Sequence, residues 1–389
     1  MKNKTRVAVI GVVGVPARYG GLETLAHNFV LELRDKYDIT VYNSTRNYLP
    51  EERSDTWEGA KIKYIPVKPN GAQSVPYDIL SMMHAITRND VLLVLGVSGC
   101  IILPLLKLLF RKKKIVVNID GLEWRRPKWG KFASAYLKLA EKIAVRYADR
   151  IIADNAGIQD YVEAVYKKES DMIAYGGDHA KTAAIQPEDL AKYPFLNGKY
   201  GVKACRIEPE NNIEMILDAF SHNNSISVVI LGNWEDSAFG QNMRKKYGHH
   251  DHIYLLDFIR DARVLDMLRS NAYVYLHGHS AGGTNPSLVE AMNLGLCVVA
   301  YGGTVFNVNT TEKQALYFEN AEQLLEHLEN LTPELRAETG KKMKELAKVM
   351  YTWKAISRAY SNTLEKALGN PVAFQEELNN EKVLASISQ

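Results

Sequence analysis

The stretch 276–303 constrains this chain of 389 residues more than any other. It reads LHGHSAGGTNPSLVEAMNLGLCVVAYGG: the end of an apolar strand, a loop of small residues, a helix that opens at Pro286 and stops at Gly295, and a second apolar strand over 297–301. Proline suits the first helical turn because the amide it lacks would be unpaired there anyway. Strand, glycine loop, helix and strand in that order make a βαβ unit, so the chain must build an α/β domain around a parallel sheet. The loop leaves backbone N–H groups at the positive end of a helix with no side chains in the way, which is a place for a phosphate or diphosphate. Glu290, the one acid of this helix, lies a turn or so inside it, where a carboxylate can accept hydrogen bonds from a ribose diol. The same glycines would equally serve a tightly packed β–α turn with Glu290 solvated.

The remaining chain repeats the theme. Short apolar runs at 7–10, 39–42, 62–65, 91–95, 115–119, 150–153 and 172–175 alternate with helical or turn segments, as do runs at 200–206, 228–231, 253–255 and 272–276. That alternation predicts parallel sheets with helices on both faces. The length allows two α/β domains of ordinary size. Residues 181–198 carry Pro187, Pro194, Asn197 and Gly198 without clean periodicity and read as the linker. The boundaries expected are therefore 1–180 for a first Rossmann-like domain, 181–198 for the linker, 199–352 for a second Rossmann-like domain, 353–369 for a terminal helix and 370–389 for a polar tail.

A formal charge of +3 is too small to imply nucleic acid as a partner, so any basic patch must be local. Cys100, Cys205 and Cys297 are far apart, which points to a reducing compartment and away from a disulfide framework or a zinc site. No signal peptide is expected ahead of the first strand, since the run 7–10 is short and meets Gly11 at once. The stretch 91–110 has the length of a membrane span, but Gly96, Ser98, Gly99, Pro104 and Lys107 divide it into strand, loop and helix. Because Arg111, Lys112, Lys113 and Lys114 follow directly, it reads either as a buried helix with a solvated charged turn or as contact with an anionic bilayer.

Several strand ends carry chemistry-bearing residues, and in open parallel sheets ligands gather there. The first strand runs into a glycine loop ending in Gly20 and Gly21, whose spacing is not that of a dinucleotide fingerprint. The run Asp120, Gly121, Leu122, Glu123, Trp124, Arg125 and Arg126 offers rings that stack on a sugar and arginines that clamp phosphate. Against that stands a helix-entry loop with surface ion pairs. Gly176, Gly177 and Asp178 form another tight turn at a strand end, and Gly232 closes a further one beside Asn233 to Glu235. His249, His250 and His252 are clustered, and the turn residues around them favour a solvated loop over a metal site. No Asp-x-Asp pattern, a common metal holder on a donor diphosphate, occurs anywhere.

Pro286, Ser287, Glu290, Ala291, Met292, Gly295, Val298, Val299 and Ala300 resemble the nucleotide-sugar signature of the retaining glycosyltransferases of GT-B fold, family 4 type. The resemblance implies two Rossmann-like domains facing across a cleft, with the C-terminal helix crossing back to the first, acceptor-side domain and the second binding the nucleotide-sugar. It implies that Gly20 and Gly21 approach the donor diphosphate. It also places Arg206 and the residue at position 211 on that diphosphate, but position 211, a lysine in the family, is Asn211 here, so Arg18 is a candidate helper. The family's first acid falls on Gly282, leaving backbone contact from Gly282, Gly283, Thr284 and Asn285 as the substitute. The segments Asp-Gly-x-Glu-Trp and Arg-Ile-Glu-Pro-Glu-Asn-Asn resemble the rhamnosyltransferase branch that acts on lipid-diphosphate sugars. The missing Asp-x-Asp predicts a metal-independent transferase with no cofactor, and this resemblance implies one that is cytoplasmic and peripheral at the inner membrane face. It would move L-rhamnose from dTDP-rhamnose onto a glucose- or N-acetylglucosamine-diphosphate lipid in surface polysaccharide biosynthesis. Asp120 is the first candidate to orient the acceptor hydroxyl, with Glu123 and Asp178 as alternatives and Trp124, Arg125 and Arg126 as acceptor contacts. A hexosyltransferase using a UDP- or GDP-sugar, a nucleotide-sugar epimerase of the same fold and an inactive binding protein are the rival readings.

Overall fold

A computed structural model of the chain describes residues 4–18, 20–126 and 128–371. The chain forms two compact units, one of residues up to Tyr175 joined by the helix Trp353–Leu368, the other from Gly176 to Thr352. The expected tail lies, from residue 372, outside the described residues.

The first unit is built on β1 (Arg6–Ile10), β2 (Asp38–Ser44), β3 (Thr56–Trp57), β4 (Ala60–Ile65), β5 (Val91–Leu95), β6 (Lys114–Asn118), β7 (Arg150–Ala153) and β8 (Asp171–Met172). They lie in the order β3-β4-β2-β1-β5-β6-β7-β8, with every pairing parallel except β3 with β4. Val9 pairs with Val41 on one side and Leu93 on the other. Strands covered on both faces read as continuous apolar runs, and β1 and β5 are buried almost throughout. The helix Trp353–Leu368 closes this unit: Tyr360 meets the edge of Phe29 and accepts a 2.6 Å hydrogen bond from Asn118 Nδ2, while Tyr37 donates to Glu365 Oε1 at 2.6 Å.

The second unit has a fully parallel sheet of β9 (Tyr200–Ala204), β10 (Ser227–Leu231), β11 (Ile253–Leu256), β12 (Val274–His277), β13 (Val298–Tyr301) and β14 (Leu316–Phe318), in the order β11-β10-β9-β12-β13-β14. Its core forms where Ile213, Ile216, Leu217 and Phe220, one face of the helix Ile213–Ser221, bury against Val228, Ile230, Val274 and Leu276. In both sheets the winding reverses beside the first strand, between β1 and β5 and between β9 and β12. Loops leaving the carboxyl ends there are the natural ligand positions of such a sheet, and among the described residues they are 11–18, 96–99, 205–212 and 278–285.

Some elements differ from expectation. Residues 181–198 belong to the second unit and hold the helix Pro187–Lys192 and a 3-10 turn at Pro194–Asn197. They are fastened there by Arg263 on Asp189 at 2.8 Å and by Asn271 Nδ2 on the Ala183 carbonyl at 2.8 Å. Six helical residues are too few to show a period. Of the strand expected over 172–175 only its start pairs, because β7 ends at Ala153. No described helix is long and apolar enough to cross a membrane, and 91–110 is strand, 3-10 turn and the helix Leu103–Leu109.

Asp78, in the helix Ser74–Ile86, sits wholly inside the first unit beneath Gly99, and burial pushes its carboxyl up to about 8 against the N–H of Gly99, which lowers it. A carboxyl that keeps its proton when folded and loses it when unfolded weakens the fold as pH rises from about 4 to that value. Asp78→Asn should therefore gain on the wild type across that range, by at most about 1.4 kcal/mol per pH unit. Urea unfolding at several pH values measures it, and parallel pH profiles would contradict it.

Candidate active site

In the second unit, the loop leaving β9 is locked to the loop leaving β12. Asn211 is 4% exposed: its Nδ2 donates to the Arg206 carbonyl at 2.9 Å, and its Oδ1 lies 3.1 Å from His279 Nδ1, which therefore carries the proton. Asn212 Nδ2 donates to the Gly278 carbonyl at 2.8 Å, and the Ser280 N–H to the Glu210 carbonyl at 2.8 Å. Gly278 has to be glycine, because a Cβ there would strike the Asn211 carbonyl. Asn307 holds the far side, donating to the carbonyls of His279 and Tyr301 at 2.8 and 2.9 Å. Asn211 is thus turned inward and spent on the loop, contrary to its expected contact with a donor. Arg206 stands exposed beside it and pairs with no carboxylate among the described residues.

The loop 278–285 then delivers the helix Pro286–Leu294. Asn285 caps it, its Oδ1 accepting from the Ser287 N–H at 3.0 Å and from Ser287 Oγ at 2.7 Å, while Tyr275 donates to that same Oγ at 2.8 Å. Gly282 has φ 89°, open to glycine at little cost, and Gly282, Gly283 and Thr284 are buried. Glu290 is not solvated: it is bonded to Arg269 and lies 3.0 Å from His179 Nε2. Arg269 also holds Asp266 at 2.7 Å. Burial raises the Glu290 carboxyl, and Arg269 and His179 outweigh it, leaving it below its usual range and ionised. Each of its oxygens keeps a further lone pair for a hydroxyl.

The turn 176–178, expected in the first domain, belongs to the second unit and lies on this helix. Asn293 Nδ2 donates to the Gly177 carbonyl at 3.1 Å, and a Cβ at Gly177 would strike the Val289 carbonyl. Asp178 is therefore brought to the Glu290 network by its neighbour His179, and its carbonyl accepts from Lys181 Nζ at 2.7 Å. Gly232 is buried in a close approach to Cys205 and Ile207, which accounts for it without a donor.

In the first unit, Gly20 (φ 116°) precedes the helix Gly21–Leu33, and Glu23 of that helix reaches back to accept from the Val13 N–H at 2.8 Å. Arg18 is committed locally, to Glu52 at 2.8 Å and over the Tyr48 ring at 4.5 Å, so its expected help to a diphosphate is not prepared. After β6, Asp120 adopts φ 56°, with its N–H on Asn118 Oδ1 at 2.8 Å and the buried Tyr175 hydroxyl donating to it at 3.3 Å. Left-handed backbone at a residue with a side chain is uncommon and clusters at functional positions. Glu123 is held by Arg126 at 2.8 Å, Lys128 at 2.9 Å and Trp129 Nε1 at 3.1 Å. Burial raises its carboxyl, but Arg126 and Lys128 bring it below its usual range, which suits an anchor of the loop and not a proton donor. Arg126 is consumed in that pair. Arg125 remains exposed, stacked 5.0 Å over Trp124 and 5.5 Å over Tyr161, with no carboxylate partner among the described residues. Trp124 is fixed by Glu141 Oε2 at 3.1 Å.

Sequence reasoning missed Lys203, His179, Arg269 and Glu141. Lys203 was hidden inside an apolar strand, yet it is 1% exposed and pairs with no carboxylate among the described residues. Burial lowers its ammonium, and its charge acts on Cys205 and on the buried His277. Arg269, three residues after Asp266 in an amphipathic helix, left a readable signal; the others left none. Among the described residues no cluster of His, Cys, Asp or Glu is arranged to hold a metal, and His252 Nε2 lies 2.7 Å from the Phe220 carbonyl.

Residues 186–348 match the family described as glycosyl transferases group 1, and residues 4–178 match a domain of unknown function, DUF1972. No curated protein matches the chain in sequence. Among solved structures, the sucrose-phosphate synthase of Thermosynechococcus elongatus aligns with TM-score 0.78 and 14% identity over 94% of this chain and 100% of its own. Anabaena Alr3699/HepE in complex with UDP-glucose aligns with TM-score 0.71 and 13% identity over 93% and 99%. The S. aureus MnaA-UDP co-structure aligns with TM-score 0.63 and 15% identity over 95% and 100%. The two parallel-sheet units have the fold of these GT-B structures, and with the domain match they support a GT-B glycosyltransferase.

Two variants test the site's build. Asn211→Ala takes the Asn211 oxygen from His279 Nδ1 and one of two donors from the Arg206 carbonyl, which keeps the Glu208 N–H, and should cost about 1–3 kcal/mol in urea unfolding; an unchanged midpoint would contradict the locked loops. Lys203→Met removes a buried cation whose ammonium is lowered on folding, so it should unfold at higher temperature. That advantage is largest at neutral and lower pH and fades towards pH of about 10, where the unfolded lysine also loses its proton. A lower melting temperature at pH 7 would show that Lys203 has a partner in the fold.

Proposed function

We propose that the chain is a metal-independent, retaining glycosyltransferase that moves a hexosyl group, in the most specific reading L-rhamnose from dTDP-rhamnose, onto a glucose- or N-acetylglucosamine-diphosphate lipid in surface polysaccharide biosynthesis. One observation carries it: Arg206 stands exposed, with no carboxylate partner among the described residues, on a wall made rigid by the Asn211 and His279 tie, in a domain that matches glycosyl transferases group 1. In this reading Arg206 and the main-chain amides of 282–285 take the charge that builds on the leaving diphosphate. The glycosidic bond from the sugar's anomeric carbon to that diphosphate breaks, and a bond to the acceptor oxygen forms on the same face. The acceptor's proton passes to the departing phosphate, with Asp120 orienting the hydroxyl. Glu290, its carboxylate fixed by Arg269 and His179, offers its remaining lone pairs to the ribose diol. Trp124 and Arg125 suit the sugar and phosphate of the acceptor, and a lipid acceptor sets the work at the inner face of the cell membrane.

The solved structures of similar fold with UDP or UDP-glucose in their titles keep a UDP-sugar donor as the second reading, and the similar fold of a UDP-N-acetylglucosamine 2-epimerase from Listeria monocytogenes keeps an epimerase in view. A panel of nucleotide-sugars with a synthetic lipid-diphosphate sugar, read by product mass, separates them. The reading expects a product one deoxyhexose heavier from dTDP-rhamnose, and a roughly hundredfold or larger fall in kcat/KM in Arg206→Ala. Transfer from UDP- or GDP-sugars alone would overturn the rhamnose assignment. Conversion of the nucleotide-sugar without acceptor would overturn the transferase.

A further inference from the structure

The first unit carries an apolar surface that no described residue covers. The helix Leu103–Leu109 turns Leu105, Leu108 and Leu109 outward, the last two each 62% exposed, and Ile101 in the turn before it is exposed as well. It packs against the helix Lys131–Tyr147, whose Phe132 is 95% exposed and whose Leu139 is exposed about two turns on along the same face. Such groups of large apolar side chains in water mark a contact surface.

The charges around it decide what the contact is with. From Val91 to Ile119 there is no Asp or Glu. Lys107, Lys113 and Lys114 are taken up by Asp149 and Asp90, whereas Arg111 and Lys112, at the end of the leucine helix, are exposed and pair with no carboxylate among the described residues. On the neighbouring helix the exposed charges are Lys131, Lys138, Lys142 and Arg146, all cationic, and its one acid, Glu141, is buried on Trp124, Tyr161 and Tyr166. Leucine and phenylalanine side chains bounded by lysine and arginine, without an acid, complement a bilayer with anionic headgroups, where apolar groups enter the acyl boundary and cations stay at the phosphates. A second copy of the chain would set these cations against their own kind.

We infer that the face formed by Ile101, Leu105, Leu108, Leu109, Phe132 and Leu139 docks on an anionic lipid bilayer. The inference deepens the lipid-acceptor reading and rests on it only for the reason to dock. Phe132 lies in the first turn of the helix that follows the loop of Asp120, Trp124 and Arg125, so docking brings the headgroup layer to that loop. A diphosphate borne on a lipid would then reach Arg125 without leaving the membrane.

Flotation with phosphatidylcholine vesicles, with and without phosphatidylglycerol, tests it. The wild-type chain should float with the mixed vesicles and stay behind with neutral ones, and added salt should weaken the association. A Leu108→Ser, Leu109→Ser, Phe132→Ser variant should partition roughly tenfold less or weaker still, with its melting temperature unchanged, and Lys131→Gln with Lys142→Gln should reduce the preference for anionic lipid. Failure of the wild type to float, equal binding to both vesicles, or undiminished binding of the triple variant would overturn the proposal. So would a wild-type dimer that the triple variant dissolves while its vesicle binding persists, which would assign the face to a second copy. The vesicle measurement needs no donor or acceptor: a chain that floats as stated but transfers no sugar leaves the docking face standing and sinks only the transferase.

Discussion

The hydrogen bond between Asn211 and His279 is the contact on which the candidate donor wall depends. It joins the loop after β9 to the loop after β12, at the place where the strand order reverses, and both partners are buried. A buried pair of this kind is costly to break, since each partner left alone carries its full desolvation penalty. Because Asn211 turns inward, Arg206 is left outward, and because Gly278 lets the Asn211 carbonyl approach, the chain after it is aimed into the glycine loop. The amides of that loop are thus fixed before any ligand arrives, which is what an electrostatic site needs.

The helix after that loop is fixed by charge. Asp266, Arg269, Glu290 and His179 form one chain of polar contacts, two of them ion pairs on Arg269, drawing together a helix that ends before β12, the helix that starts after it and the turn 176–179. The guanidinium of Arg269 is held by two carboxylates, whereas that of Arg206 pairs with none among the described residues. The same division recurs in the first unit, where Arg126 is tied to Glu123 and Arg125 is stacked on aromatic rings with its N–H groups available. In each unit one arginine builds the loop and another faces out of it.

Much of the fold was legible because strands buried on both faces leave uninterrupted apolar runs, as β1, β5, β10 and β13 do, and because Pro286 and Gly295 punctuate their helix at its true ends. The segment 181–198 was not legible: its helix is shorter than two turns, and what orders it is long-range, Arg263 on Asp189 and Asn271 on Ala183. In the site, position and residue type could be read but engagement could not. Glu290, Glu123, Arg126 and Asn211 looked like groups waiting for a ligand, and each is held by a partner distant in sequence or by its own loop. Lys203 was overlooked for the opposite reason, since a single lysine in an apolar run does not disturb the strand pattern.

The account stands on a diphosphate met by one guanidinium and by main-chain amides. Calorimetric titration of the chain with a nucleoside diphosphate, once in chelator and once in excess magnesium, tests this most directly, with the bare nucleoside as reference. The account predicts equal affinity in the two buffers and at least roughly tenfold weaker binding of the nucleoside, the diphosphate's charge-assisted hydrogen bonds being lost. Binding that disappears in chelator and returns with magnesium would contradict it.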